Sequence, residues 1–389
     1  MEEIIKKITE NPEYRQALGL PSEVTEEYRM LAQGEYNINY TFTHPVSGRR
    51  LVLRINAGSQ MHLDRQIEYE AHALGLLGET GRTPRVYYVD GSMKYADHGF
   101  LVMEYLPGEY PHYDNLVEMN GVMECLADIH SLSIPESEVI YGEPEGVPRD
   151  TVRLIAPADP AEAILDECEN MVRTYMDSPL GDDIVKARLR ALLDRAHEIA
   201  AETSVNHSLN AESVKSGTDA EAVTPVSIDV RDVSNVPAAP DSSLDEGYRC
   251  CINTELNSTN FLVDDGRVKL VDWEKPLYGD PAQDLGHLLA PTTTFWKTDH
   301  ILSQKETDRL IDEYIRAVDG RFDTAGIRER THRLISITCL RGLTWCAMAW
   351  VQYQDPDKLI ANESTRLKLD AYLSDSFLSD IEKRLNMKD

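Results

Sequence analysis

Two acidic side chains and an amide follow one another at fixed spacing in residues 253–274. Glu255 precedes Asn260 by five positions, and Asp272 lies twelve positions after Asn260. This order suits phosphoryl transfer, in which an acid orients the acceptor hydroxyl and takes its proton, while an Asn and an Asp bind Mg²⁺ on the phosphates of ATP. The pattern therefore predicts an ATP- and Mg²⁺-dependent phosphotransferase, with Glu255 as the catalytic residue and Asn260 and Asp272 as metal ligands.

A short hairpin is predicted between the amide and the second acid. The apolar run 261–263 leads into a tight turn at 264–267, and a second strand-like run follows it up to residue 273. Such a hairpin brings Asn260 and Asp272 to the same end of two short strands. An acid five positions before an Asn is common by chance, whereas the complete run, followed by Gly-Asp-Pro-Ala-Gln-Asp-Leu at 279–285, is specific.

The N-terminal stretch, up to about residue 106, is predicted to contain strands and one helix. The strand-like runs are 40–43, 50–55, 83–89 and 100–105, and a helical pattern covers 64–77. Val52 and Arg54 share one face of their strand. Glu70 falls on the apolar face of the helix, where a carboxylate needs a cation. Arg54 is the simplest partner, and the alternative is a surface Arg that never meets Glu70.

The remainder of the chain is predicted to be mainly helical. Helical patterns cover 116–132, 161–176, 183–201, 305–319, 327–352 and 365–388. Residues 202–247 differ, because nine acids stand there against two basic residues and aromatic side chains are scarce. We interpret 202–247 as a disordered insertion, and a regulatory element is the alternative. The predicted domains are an N-terminal lobe, 1–106, and a helical C-terminal lobe, 107–389, that contains the insertion.

The run from 253 to 285 resembles the aminoglycoside phosphotransferase and choline kinase-type family of small-molecule kinases. That family's loop reads His-Gly-Asp-Leu-His-x-x-Asn, followed by a strand, Ile-Asp-Trp-Glu and Gly-Asp-Pro-x-x-Asp-Leu. The corresponding segments here are 253–260, 271–274 and 279–285, and the resemblance extends over about 25–320. It implies an α+β, bilobal protein-kinase-like fold with a strand-rich N-lobe and a mainly helical C-lobe.

The resemblance also implies a nucleotide site between the lobes. Gly34 and Asn37 resemble the family's short nucleotide loop, although alone they would be an ordinary turn. The backbone carbonyl of Glu104 and the N–H of Leu106 would bond the adenine edge. Arg54, in place of the usual Lys, would hold the phosphates beside Glu70, and Val52 would cover the adenine ring.

Two further residues are implied to be structural. Asp284 would brace the catalytic loop through backbone N–H groups, and such charge-assisted bonds are strong. His130 resembles the end of a family helix, and we interpret it as a packed or capping histidine without chemistry.

Four positions of the catalytic loop depart from the family pattern. Asn253 replaces His, Thr254 replaces Gly, Asn257 replaces the second His, and Glu255 replaces the catalytic Asp. The extra methylene of Glu moves the carboxylate by roughly 1–1.5 Å, and a shift of that size can cost roughly 100-fold in rate. Either the loop is re-registered around Glu255 in an active kinase, or the protein is a catalytically weak nucleotide-binding pseudokinase that acts through a protein partner. The presence of both metal ligands favours the active kinase.

The acceptor is predicted to be a small metabolite with a hydroxyl group. A protein substrate is disfavoured, because only six residues separate Asp272 from Gly279 and an activation segment needs more. Three tryptophans of the C-lobe, Trp296, Trp345 and Trp350, are candidates for the acceptor-pocket wall, and ordinary core packing is the alternative for each.

Composition restricts partners and location. The net charge of −28 argues against nucleic-acid partners and against an anionic membrane surface. The N-terminus lacks a signal-peptide pattern, and the apolar window 334–351, which contains Arg341, is predicted to be a buried helix rather than a membrane span. Six cysteines without a CxxC pair fit a reducing compartment, so we predict a cytoplasmic protein.

Overall fold

The computed structural model describes residues 2–34, 36–59, 61–143, 146–215, 247–354 and 363–385. For residues 202–215, and at Lys297 and Ser364, it describes the backbone alone. Strands are concentrated before residue 105, and most of the remaining elements are helices. The predicted α+β architecture, with a strand-rich N-terminal region and a mainly helical C-terminal one, is confirmed.

The N-terminal region is one antiparallel sheet with helices on both faces. Its elements are α1 (Glu2–Thr9), α2 (Pro12–Leu18), β1 (Arg29–Gln33), β2 (Asn37–Thr43), β3 (Arg50–Asn56), α3 (Gln66–Leu77), β4 (Val86–Asp90) and β5 (Phe100–Glu104). The strand order is β1-β2-β3-β5-β4, so β3 lies at the centre. A central strand is held on both sides by hydrogen bonds, which makes it a rigid base for Arg54.

Alternation along β3 builds two cores, as the sequence predicts. Leu51, Leu53 and Ile55 pack into a small core with side chains of α1 and α2. Val52 faces the opposite side and joins the large core that continues into the C-terminal region. The helices α1 and α2 lie outside every predicted element, although Asn11 caps α2 and Gly19, at φ 68°, ends it.

The C-terminal region contains the remaining elements, in which helices accompany three two-stranded sheets. They are α4 (Leu116–His130), β6 (Val139–Tyr141), β7 (Leu154–Ala156), α5 (Pro160–Asp177), α6 (Asp183–Lys215), β8 (Cys250–Ile252), β9 (Phe261–Asp264), β10 (Arg267–Leu270), β11 (Leu277–Gly279), α7 (Pro281–Leu289), α8 (Pro291–Thr298), α9 (Gln304–Val318), α10 (Ile327–Gln352), α11 (Glu363–Tyr372) and α12 (Asp375–Arg384). The hairpin β9–β10 and the pairing of β11 with β8 enclose the predicted catalytic loop.

Part of the predicted insertion is corrected by the structure. Helix α6 continues to Lys215, so the beginning of 202–247 is helical rather than a loop. The physical reason is that Glu202–Lys215 contains no Gly or Pro, and the first helix breaker after it is Gly217. Residues 216–246 lie outside the described residues, so disorder there stays a prediction. The predicted helix 365–388 is also divided, because α12 starts at a new cap on Ser374.

The junction between the two predicted lobes requires a glycine. Gly108 has φ 137°, and a Cβ there would lie 2.8 Å from the carbonyl oxygen of Val263. Glu109 then forms a bridge with Val263, through which the segment after β5 joins β9. This contact anchors the segment between the lobes beside the hairpin that leads to Asp272. The division at residue 106 stays a prediction.

The long apolar helix α10 is a core element. Among the described residues it is the one helix with the length and composition of a possible membrane span, and 61% of its most apolar window is buried inside the protein. It packs against α5 and α7, which agrees with the prediction of a buried helix. All six cysteines are free and buried.

Candidate active site

The hairpin β9–β10 brings together the two predicted metal ligands. Phe261 pairs with Leu270, and the N–H of Val271 donates to the carbonyl of Asn260 at 2.8 Å. The Asn260 amide nitrogen then lies 3.4 Å from Asp272 Oδ2. The Asn260 amide oxygen accepts the N–H of Asn257 at 3.0 Å, which fixes the side chain toward the loop. The predicted meeting of Asn260 and Asp272 is confirmed, and their roles as ligands remain proposals.

A buried acid holds the start of the catalytic loop. Asp284, fully buried in α7, accepts the backbone N–H groups of Asn253 at 2.8 Å and Thr254 at 2.7 Å. The predicted brace is therefore confirmed. His130 is equally buried, with Nε2 3.2 Å from Asp284 and Nδ1 2.8 Å from the Tyr314 hydroxyl, so it packs behind the loop as predicted.

Three of the unusual loop residues have a structural explanation. Thr254 adopts φ 73°, the left-handed region that favours Gly, and its hydroxyl donates to the carbonyl of Lys275 at 2.8 Å. Asn253 donates to the carbonyl of Asp272 at 2.9 Å and accepts the N–H of Glu255 at 3.2 Å. Asn257 caps the turn 258–260 by accepting the N–H of Thr259. Side-chain bonds thus stabilise the loop conformation.

The predicted pair of Arg54 and Glu70 is present and buried. Arg54 Nε lies 3.1 Å from Glu70 Oε1, and both side chains are almost wholly buried. The guanidinium also contacts Asp272 at 3.1 Å and Glu274 at 2.8 Å through Nη2. Burial, together with Asp272 and Glu274, raises the pKa of Glu70 to about 8 despite Arg54, whose own pKa the three carboxylates raise.

Glu274, which the sequence reasoning did not single out, connects Asn37 to Arg54. Its Oε1 accepts from Asn37 at 2.6 Å and from Arg54, and its backbone carbonyl accepts from Gln66 at 2.8 Å. Burial and the neighbouring Asp272 raise its pKa. Gly34 begins the turn by donating its N–H to the carbonyl of Asn37 at 2.9 Å. The Trp-Glu pair after Asp272 was the available signal for Glu274.

The other predicted nucleotide contacts lie on the same side of the cleft. Val52 is buried on β3 next to Met103 of β5, and Glu104 ends β5. Leu106 is buried, and no backbone acceptor for its N–H is found in the described part of the chain. A backbone N–H without an acceptor in the protein can donate to a ligand, which agrees with the predicted contact with an adenine edge.

A small polar cavity at the centre of the site fits a hard cation. It encloses about 100 Å³ and is lined by the oxygen-bearing side chains of Asn253, Glu255, Asn257, Asn260, Asp272 and Glu274, together with Lys275. Carboxylate and amide oxygens are the ligands that Mg²⁺ prefers. Asp272 is 46% exposed, so it can reach a ligand in the cleft. No group of three or more His, Cys, Asp or Glu side chains that could hold a metal ion occurs among the described residues.

A larger cavity of about 620 Å³ adjoins Glu255 on the C-terminal side. Trp296 and Trp345 line it at a ring separation of 5.2 Å, in an edge-to-face arrangement. Trp350 does not line it and instead packs against Tyr175 and donates to Asp370. Two of the three candidate tryptophans therefore face the space where an acceptor would approach Glu255.

Glu255 itself has charged neighbours that the sequence reasoning missed. Arg341 of α10 donates to Glu255 Oε1 at 2.9 Å and also contacts Glu167 of α5. His287 of α7 is partly buried, and its desolvation together with Arg341 lowers its pKa. The available signal was Arg341 itself, an isolated cation within an otherwise apolar window.

A comparison with protein families agrees with this geometry. The sequence model of the phosphotransferase enzyme family matches residues 27–330. The chain belongs to this family. The predicted enzyme class, a phosphotransferase of the aminoglycoside phosphotransferase-like type, is confirmed. No curated protein matches the chain in a direct sequence search.

Solved structures show the same fold at low sequence identity. A spectinomycin phosphotransferase with ADP and spectinomycin has a TM-score of 0.55 and 10% identity, covering 95% of each chain. An ethanolamine kinase from Plasmodium vivax has a TM-score of 0.55 and 14% sequence identity, and the match covers 98% of this chain and 94% of that one. An amicoumacin kinase with AMP-PNP and Ca²⁺ has a TM-score of 0.53 and 13% sequence identity, and the match covers 98% of this chain and 96% of that one. The predicted protein-kinase-like fold is thereby confirmed.

Proposed function

We propose that this phosphotransferase transfers a phosphoryl group from ATP, in the presence of Mg²⁺, to a hydroxyl of a small metabolite. One observation carries the proposal: Glu255, Asn260 and Asp272 line a single small cavity next to the larger one that adjoins Glu255. The solved structures of two kinases of this fold with ADP and with AMP-PNP and Ca²⁺ support a nucleotide and a divalent cation.

Each residue of the cleft would have its own role in phosphoryl transfer. Arg54, held by Glu70, would bind the nucleotide phosphates, and Asn260 and Asp272, with Glu274 beside them, would hold Mg²⁺. The bound ion would neutralise phosphate charge. Most of the rate would come from positioning and from charge neutralisation rather than from base strength.

Glu255 would orient the acceptor hydroxyl and accept its proton late in the transfer. The aromatic cavity beside it would hold the rest of the acceptor. A small acceptor is favoured over a peptide, because the four residues after Asp272 lead directly into β11 and then α7 and provide no peptide platform. The free thiols of the six buried cysteines support the further proposal of a cytoplasmic location.

An ATP-consumption screen over a panel of hydroxylated metabolites tests this function. We expect turnover with at least one acceptor, and a loss greater than about 100-fold in Asp272→Ala. Asp177→Ala, on the exposed end of α5, is the control and should retain wild-type turnover.

The same screen separates an active kinase from a pseudokinase. A pseudokinase would bind ATP, which a thermal-shift measurement would detect, and would turn over no acceptor. Less than a tenfold loss in Asp272→Ala would contradict the assigned role of Asp272.

A further inference from the structure

A single guanidinium from α10 connects the catalytic loop to two other helices. Arg341 is largely buried, with 18% of its side chain exposed. Its Nε donates to Glu167 Oε2 at 2.8 Å, and its Nη2 donates to Glu167 Oε1 at 3.1 Å and to Glu255 Oε1 at 2.9 Å. Arg341 is thus held by a bidentate contact with α5 while it binds one oxygen of Glu255.

His287 on α7 contacts both the catalytic loop and Arg341. His287 Nδ1 lies 2.7 Å from the carbonyl of Leu256, the residue after Glu255. The carbonyl can only accept, so Nδ1 carries the proton, and Nε2 then accepts from Arg341 Nη1 at 3.5 Å, a long contact. The side chain of Glu255 and the backbone beside it are therefore both attached to a partly buried unit formed by Arg341, Glu167 and His287.

Two carboxylates, those of Glu167 and Glu255, share the one positive charge of Arg341. The bidentate contact with Glu167 fixes the guanidinium, so its Nη2 meets Glu255 Oε1 from a fixed direction. A rigid, planar guanidinium suits this purpose, because its donors have fixed angles. Arg341 also borders the acceptor cavity and a second cavity of about 570 Å³ on the other side.

We propose that Arg341 is a positioning residue that sets the orientation of the Glu255 carboxylate, and that Glu167 fixes Arg341. This inference depends on the proposed function. A Glu has one more rotatable bond than the Asp for which it stands, so its carboxylate can sample positions that miss the acceptor hydroxyl. The guanidinium restricts that freedom by holding Glu255 Oε1.

The test compares Arg341→Met in two backgrounds, wild type and Glu255→Asp, by steady-state turnover with an acceptor identified in the screen. In the wild-type background kcat should fall about 10–100-fold while the KM for ATP stays within twofold. In Glu255→Asp the carboxylate retreats by about one bond length from Arg341, so the same substitution should cost less than about threefold. A merely structural Arg341 would give equal losses in both backgrounds.

Two milder variants keep the test valid if Arg341→Met does not fold. Arg341→Lys retains the charge without the fork, and Glu167→Gln retains Arg341 but weakens its anchor. Each should reduce kcat about 3–10-fold in the wild-type background and less with Asp at 255. The matched control is Arg188→Met, which removes a bidentate contact with Glu382 at similar exposure and should leave kcat unchanged.

Failure of the positioning role and failure of the proposed function give different results in this test. Turnover by the wild type with equal losses in both backgrounds, or with no loss in any Arg341 variant, overturns the positioning role and leaves the proposed function intact. An absence of turnover by the wild type with every acceptor overturns the proposed function, and the inference with it.

Discussion

The acid behind the catalytic loop gives the sharpest test of how the loop is held. Asp284→Asn keeps the size of the side chain and replaces one acceptor oxygen by an NH₂ group. Wild-type Asp284 accepts three hydrogen bonds, from the N–H groups of Asn253 and Thr254 and from His130. All three donors are buried. In the variant at least one of them must face another donor.

The expected cost follows from the number of donors that lose a partner. A buried polar group without a partner costs about 1–3 kcal/mol, and a hydrogen bond to a charged group is worth about 1.5–3 kcal/mol. Asp284→Asn, which strands one donor and weakens the others, should therefore lose about 2–4 kcal/mol of unfolding free energy. Asp284→Ala leaves three donors without an acceptor, so its loss of unfolding free energy should be larger and should approach the whole stability of a typical domain.

Urea unfolding, followed by circular dichroism, measures the loss of stability, and turnover at a temperature where the variant is folded measures the effect on the loop. We expect kcat of Asp284→Asn to fall about 10–100-fold, because Glu255 directly follows the two braced residues. The control is Glu26→Gln, which removes another buried acid that is paired with Arg15 far from the loop. It should lose stability and keep kcat within twofold. A loss below about 1 kcal/mol, or unchanged kcat, in Asp284→Asn would refute the reasoning.

Three further substitutions test other parts of the structure. Because the pKa of Glu70 is raised from 4.5 to about 8, the folded state binds a proton that the unfolded chain releases, so ligand-free stability should fall between pH 5 and 8. Melting temperature measured against pH should therefore fall in the wild type and fall less in Glu70→Gln. The same dependence on pH in both proteins would contradict the raised pKa of Glu70. Gly108→Ala should cost about 1–3 kcal/mol in urea unfolding, whereas Gly75→Ala in α3, with open space around it, should not destabilise. Trp345→Ala should raise the acceptor KM more than about fivefold and leave the KM for ATP unchanged; equal shifts would exclude it from the acceptor cavity.

Local periodicity accounts for much of the fold that the sequence predicts. The alternation along β3 follows directly from side chains that point to opposite faces, and α4, α5, α9 and α10 follow from apolar stripes at helical spacing. The helices α1 and α2 escaped prediction because segments of eight and seven residues are too short for a convincing stripe. Their stability comes from packing on β3, which no local pattern encodes.

The same distinction explains which site residues were found. Asn260 and Asp272 are near in sequence, and a hairpin is a local structure, so spacing was enough to place them together. Arg54 and Glu70 were paired because a carboxylate on an apolar helix face needs a cation. The contact of Arg341 with Glu167 joins residues 174 positions apart, and it depends on how α10 packs on α5. Sequence spacing contains no information about that packing.

The two adjacent thiols on β8 make the opening of the catalytic loop measurable by chemistry. Cys250 and Cys251 are buried, pair with β11, and are separated from Asn253 by Ile252 alone. Burial raises the pKa of both thiols, so a reagent that attacks thiolates reacts only when the strand separates. The labelling rate of the peptide that contains them therefore reports the free energy of local opening. Its slowing by nucleotide or acceptor would show which ligand closes this part of the molecule.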